Sequence, residues 1–145
     1  MQPETLFTWC GYLVMPGWIL LAVAPKWRWT ARLIGSAVIS LVLAGVYLVL
    51  VATHFGRTEG GFGSLAAVST LFQDPWVLLA GWIHYLAFDL FIGGWEVRDA
   101  QRLGIPHLAV IPCLVLTFLF GPIGLLLYFA LRVGLKGRWM VEAEG

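Results

Sequence analysis

His84 and Asp89 are ionisable residues inside an otherwise apolar and aromatic run, residues 75–95. A carboxylate at that depth costs a few kcal/mol or more in lipid. It must face the interior of a helix bundle and find a partner, or carry a proton. Either state suits acid–base work. The competing reading is an Asp that only ties helices together by hydrogen bonds, or one near enough the interface to stay wet. His84 sits close to the middle of the run, and imidazole titrates near neutral pH. A midspan His can also serve as an interhelix hydrogen-bonder. The two residues are ~7.5 Å apart along a helix axis and ~140° apart around it. They can serve one site only if the helix packs against neighbours on both sides.

Trp82, Asp89 and Glu96 share one stripe at a spacing of seven, and Asp99 follows Glu96 by three. His84 and Asp89 are therefore the candidate proton-transfer pair, with Glu96 and Asp99 as supporting acids. Gly93-Gly94 is expected to break the helix before that continuation. In that case Glu96, Arg98, Asp99 and Arg102 form a solvated, mutually paired loop. A second run carries Pro112 and then Thr117-Phe-Leu-Phe-Gly-Pro-Ile-Gly124. Pro122 removes an N–H and clashes with the preceding turn, so a kink is expected near the centre. Gly121 and Gly124 allow close backbone approach. Either this is a packing kink, or Thr117, Phe118, Gly121 and Pro122 form a wall opposite His84 and Asp89. Trp82, Tyr85 and Phe88 would complete a pocket for a long, flat, apolar ligand, although core packing alone would produce the same pattern.

The elements that must position these residues follow from composition. Of 145 residues, 60% are hydrophobic and 12% charged, with mean hydropathy +0.86. That argues against a soluble enzyme, a disordered chain and a nucleic-acid binder, since 9 basic residues face 8 acidic ones and a basic patch needs an excess. Charges punctuate four apolar runs, each long enough to cross a bilayer. The predicted fold is an all-α integral membrane protein in one domain, residues 1–145. It is a four-helix bundle with spans at 5–25, 31–53, 75–95 and 107–132. The stretch 62–72 is apolar but too short to span, and is expected as an interfacial or re-entrant helix before the third span. Thr30 is expected to cap the second span, and Asp74-Pro75 the third. Pro106 marks entry to the fourth. His54 and His107 fall at span ends, and Cys10 and Cys113 read as small buried hydrophobes. CxxC, HxxxH and HExxH spacings are absent, so no metal or cofactor is expected.

Four spans put both termini on one side. The loops on the other side hold 5 of the 9 Lys and Arg residues, so the positive-inside rule barely decides orientation. If the first loop dominates, both termini lie outside the cytoplasm. The first run lacks a basic n-region and carries Pro16 and two Trp, unlike a signal peptide. The chain is expected to enter its membrane as it stands. A four-helix monomer encloses only a small cavity, which makes a homo-oligomer an expectation.

Several blocks carry a family resemblance. They are Leu6-Phe7 with Pro16-Gly-Trp-Ile-Leu-Leu21, Ala24-Pro-Lys-Trp-Arg28, Gly81-Trp-Ile-His-Tyr-Leu-Ala-Phe-Asp-Leu-Phe-Ile-Gly93, and Leu116-Thr-Phe-Leu-Phe-Gly-Pro-Ile-Gly-Leu-Leu-Leu-Tyr128. In order, over nearly the whole chain, they resemble the neoxanthin synthase-like family, whose plant members are tied to abscisic-acid formation. The resemblance implies a carotenoid or other isoprenoid lipid as partner and a redox-neutral isomerisation of an epoxide to an allene. That reaction needs an acid for the epoxide oxygen and a base for a polyene proton, a demand that His84 and Asp89 would fit. The alternative is a non-catalytic carotenoid- or lipid-binding accessory protein. With no plastid transit segment, the chain resembles a prokaryotic relative of the bacterial cytoplasmic membrane.

Overall fold

The computed structural model describes residues 2–35, 37–139 and 141; Ser36, inside the second predicted span, lies outside them. Among the described residues every regular element is helical. Helix α1 (Pro3–Val23) leads to a short α2 (Arg28–Thr30), a π-helical turn at Ala31–Gly35 and α3 (Val38–His54). After a glycine-rich loop come α4 (Leu65–Leu71), α5 (Pro75–Leu103), α6 (His107–Phe120) and α7 (Pro122–Lys136). Three helical stretches are long and apolar enough to cross a membrane: Pro3–Val23, Arg28–His54 and Pro75–Leu103.

Helix α5 is the centre of the bundle and packs against α1, α3, α6 and α7. Its start is the expected one. Pro75 occupies the first turn, and Asp74 Oδ1 accepts from the N–H groups of Trp76 and Val77 at 2.8 and 3.0 Å. Its end is not. The helix runs through Gly93 and Gly94 to Leu103, eight residues past the predicted limit at Trp95. The two glycines serve close packing on two sides. A Cβ at Gly93 would lie 2.7 Å from the Trp18 ring, and one at Gly94 would lie 2.9 Å from the Ile34 side chain. Glu96 and Asp99 consequently sit on a buried helix and not in a solvated loop.

Two further expectations need correction. Thr30 does not cap a helix; Trp27 holds the N-cap position of α2, and the buried Thr30 hydroxyl donates to the Ala24 carbonyl at 2.7 Å. The single kinked helix expected at 107–132 is two antiparallel helices. Helix α6 descends along α5: the His107 ring bonds the Ala22 carbonyl, Thr117 meets Glu96, and Gly121 meets Asp89. Helix α7 then climbs back. Tyr128 and Arg132 reach Asp99, and the Lys136 ammonium lies beside Gly104. The reversal occurs at Gly121, with φ 50° and ψ −99°, a backbone state that excludes most side chains. Pro122 opens α7 at a position where no backbone donor is needed.

The hairpin closes where Gly124 rests directly on the backbone and hydroxyl of Thr117. Gly124→Val is expected to force the two helices apart and cost about 1–3 kcal/mol or more. Thermal unfolding in detergent checks this, with Gly134→Ala, which meets nothing within 4 Å, as the near-neutral control.

Candidate functional site

Asp89 and Glu96 point from α5 into the α6–α7 hairpin. The Asp89 carboxylate lies against the reversal itself: a Cβ at Gly121 would stand 3.0 Å from Oδ1 and 3.3 Å from Oδ2. Gly121 is thus required twice, for its positive φ and for the carboxylate beside it. The half-buried Asp89 keeps its Oδ2 out of solvent and, among the described residues, without a hydrogen-bond partner. Two turns further along, Glu96 is fully buried. Its Oε1 accepts from the Thr117 hydroxyl at 2.9 Å, while Oε2 has no partner among the described residues. Burial without a partner is costly for any polar atom and most costly for a carboxylate. These two oxygens are therefore poised to take up a proton or a polar group.

Tyr85 lies one turn before Asp89 on the same face. Its hydroxyl stands near the Asp89 carboxylate and donates to the Phe118 carbonyl at 3.1 Å. Phe118 in turn packs edge-on against Trp18, with ring centroids 5.4 Å apart. It also lines an apolar groove of about 330 Å³ between α1, α5 and α6, together with Phe7, Tyr12, Met15, Trp82 and Leu86. Trp82 stacks on Tyr85 and packs on Phe7. Of the residues expected to form a wall, Tyr85, Thr117, Phe118 and Gly121 gather around the two acids. Trp82 belongs to the adjoining groove, and Pro122 is exposed at the hairpin tip.

His84 is placed elsewhere. Its ring stacks on Phe88 at 4.6 Å and packs on Tyr47 of α3 at 5.5 Å. It opens into a different groove of about 500 Å³, between α3, α4 and α5, whose walls include Phe55, Phe62 and Phe72. The fold therefore does not bring His84 and Asp89 together, as their angular separation on one helix allowed. Asp99 is also apart. Its carboxylate accepts from Tyr128 at 2.7 Å, Arg132 Nε at 2.8 Å and Arg102 at 2.9 Å. That saturates it with donors and leaves it as a structural charge. His54 stacks on Trp76 at a helix end, and both cysteines are free and buried.

The sequence reading missed Tyr128 and Arg132. Arg132 stands at the end of the predicted fourth span, 107–132, yet it is fully buried. One signal was present: Tyr128 and Arg132 are four apart and share a helix face, and Gly121-Pro122 stands one helical stretch ahead of them. No group of three or more His, Cys, Asp or Glu residues arranged to hold a metal occurs among the described residues.

A family model described as ABA DEFICIENT 4-like matches residues 5–128. Protein ABA DEFICIENT 4, chloroplastic, of Arabidopsis thaliana is 24% identical over 136 residues, covering 87% of this chain. The chain spans only 60% of that relative's length. No solved structure matches.

The Asp99–Arg132 pair gives a direct test of the site's frame. Arg132→Met leaves a buried carboxylate short of its main partner and is expected to cost about 3–5 kcal/mol. Adding Asp99→Asn should restore part of that loss. A thermal-unfolding double-mutant cycle in detergent measures the coupling.

Proposed function

The chain belongs to the ABA DEFICIENT 4-like family, and from that premise we propose a membrane-embedded acid–base enzyme that isomerises a carotenoid or other isoprenoid lipid without net redox change. Three helices of spanning length and a relative named chloroplastic support the membrane setting. The observation that carries the chemistry is the pairing of Asp89 and Tyr85 beside an apolar groove, with Asp89 Oδ2 sheltered and unpartnered.

The pair can run a closed proton cycle on an epoxide conjugated to a polyene. The Tyr85 hydroxyl gives its proton to the epoxide oxygen as the C–O bond breaks. Asp89 removes a proton from the adjacent polyene carbon, and that electron pair forms the second double bond of an allene. Asp89 then returns the proton to Tyr85. The product is an isomer carrying a hydroxyl where the epoxide stood, and no electrons or atoms are gained. Glu96 and Thr117 hold the hairpin in register behind the pair, and Trp82 and Phe118 provide the apolar wall. His84 faces the other groove and takes no part.

A non-catalytic carotenoid- or lipid-binding role is the second reading. It draws on the aromatic groove beside His84, which has the size of a ligand site and no acid in its lining.

In a host that makes an epoxy-carotenoid, the wild-type chain should generate an isomeric allenic product. Asp89→Asn and Tyr85→Phe should each reduce it about 10²–10⁴-fold, while His84→Ala leaves it unchanged. Pigment chromatography with mass spectrometry reads the outcome. A pigment profile identical with and without the wild-type protein overturns the enzymatic reading. Pigment that co-purifies without turnover favours the accessory one.

A further inference from the structure

The path of the C-terminal hairpin decides how many times the chain crosses a bilayer. A hydrocarbon core is about 30 Å thick. Helix α6 has 14 residues and α7 has 15, which makes each about 21–23 Å long at 1.5 Å per residue. Neither can cross alone, and they run antiparallel. Their shared tip, Leu119, Phe120, Pro122 and Ile123, is exposed and wholly apolar.

Irregular backbone at membrane depth is tolerated only where its polar groups are satisfied by protein. Several of the tip's backbone groups are satisfied in this way. Gly121 N–H donates to Thr117, Gly124 and Leu125 N–H donate to Gly121, the Phe118 carbonyl accepts from Tyr85, and Pro122 has no N–H to satisfy. We propose that α6–α7 is a re-entrant hairpin that enters and leaves the bilayer on one face, so that the chain crosses three times and its ends lie on opposite sides. This rests on the membrane setting proposed above, and not on the isomerase chemistry.

The hairpin redistributes the charge. Lys26, Arg28 and Arg32 lie in the link after α1, Arg98 and Arg102 near the end of α5, and Arg132, Lys136 and Arg138 at the end of α7. All eight gather at one end of the bundle, leaving Arg57 as the ninth basic residue at the other. A split of 5 to 4 under four spans becomes 8 to 1 under three. Glu4, Glu59 and Asp74 stand at the end with Arg57, whereas among the described residues the acids near the basic end, Glu96 and Asp99, are buried. Trp29 lies in that band with Arg28 and Arg32 over its ring at 5.6 and 5.4 Å, the composition of a headgroup-level anchor. Apart from the buried Arg132, the basic band therefore faces the cytoplasmic-type compartment, against the anionic phospholipid headgroups of that leaflet. The N-terminus lies on the opposite side.

Single-cysteine variants in a Cys10→Ser, Cys113→Ser background test this with a membrane-impermeant maleimide on intact cells. Gln2→Cys and Gly61→Cys should label from outside. Trp27→Cys and Trp139→Cys should label only after permeabilisation. Gln2→Cys and Trp139→Cys labelling from the same side overturns the hairpin. Labelling of Trp139→Cys from outside with Gln2→Cys protected overturns the placement of the basic band. In native mass spectrometry, the wild type should retain phosphatidylglycerol over phosphatidylcholine, and Lys26→Gln, Arg28→Gln, Arg32→Gln together should abolish that preference; an unchanged preference overturns the headgroup contact. Alkaline carbonate extraction of wild-type membranes separates the two claims, since release of the chain refutes the membrane setting itself.

Discussion

Within an apolar bundle a charge has to be matched at the place where it stands, and the Asp99–Arg132 pair is where this fold obeys that constraint. Arg132 is fully buried and donates to both Asp99 oxygens, Nε at 2.8 Å and a terminal nitrogen at 3.5 Å, while Tyr128 donates to one of them as well. Asp99 lies near the C-terminal end of α5, beside the place where α6 begins. A helix that must carry Arg132 to that point cannot continue away from it. The chain after Gly121 is therefore drawn back, and α6 and α7 become a hairpin. The cost of leaving either charge alone, several kcal/mol, is far larger than the strain of one reversed glycine.

From that return follows the position of the candidate site. The tip of the hairpin falls level with Asp89, because α6 antiparallel to α5 brings Gly121 to that depth. Thr117 falls level with Glu96 for the same reason. Each inward-facing acid of α5 thus has its own station on the hairpin. Asp99 is saturated, whereas Glu96 and Asp89 each keep one carboxylate oxygen unpartnered among the described residues. The two acids with unused acceptor capacity lie on one helix face, on the side toward the apolar groove. A group meant to exchange protons is one whose hydrogen-bonding capacity is not already used, which separates Asp89 from Asp99 on geometry alone.

Much of the fold was legible in the residues. Length, hydropathy and the spacing of charges identify an all-helical chain with helices of spanning length, because an apolar run leaves the backbone no solvent partner but itself. Asp74-Pro75 marks the start of α5 by local capping chemistry that needs no tertiary partner. The stripe of Asp89 and Glu96 follows from a period of seven on a regular helix. The family, too, was readable, from the blocks around His84 and Pro122. What misled were residues with more than one local meaning. Gly93-Gly94 reads as a helix breaker and is used for contact with Trp18 and Ile34. Thr30 reads as a cap and bonds backward to Ala24. Arg132 reads as the end of the last span and is buried.

The sequence by itself determined where helices form, which residues are too polar for the apolar layer, and which of those share a helix face. These are properties of single segments, set by periodicity, capping and the cost of unsatisfied backbone. Only the tertiary structure decided which grooves His84 and Asp89 look into, that Gly121 is the neighbour of Asp89, and that the last apolar run doubles back. Those outcomes depend on which distant groups meet, such as Arg132 with Asp99 and Gly121 with the Asp89 carboxylate. Their energies come from pairs more than thirty residues apart, and a pattern read along one segment does not contain them.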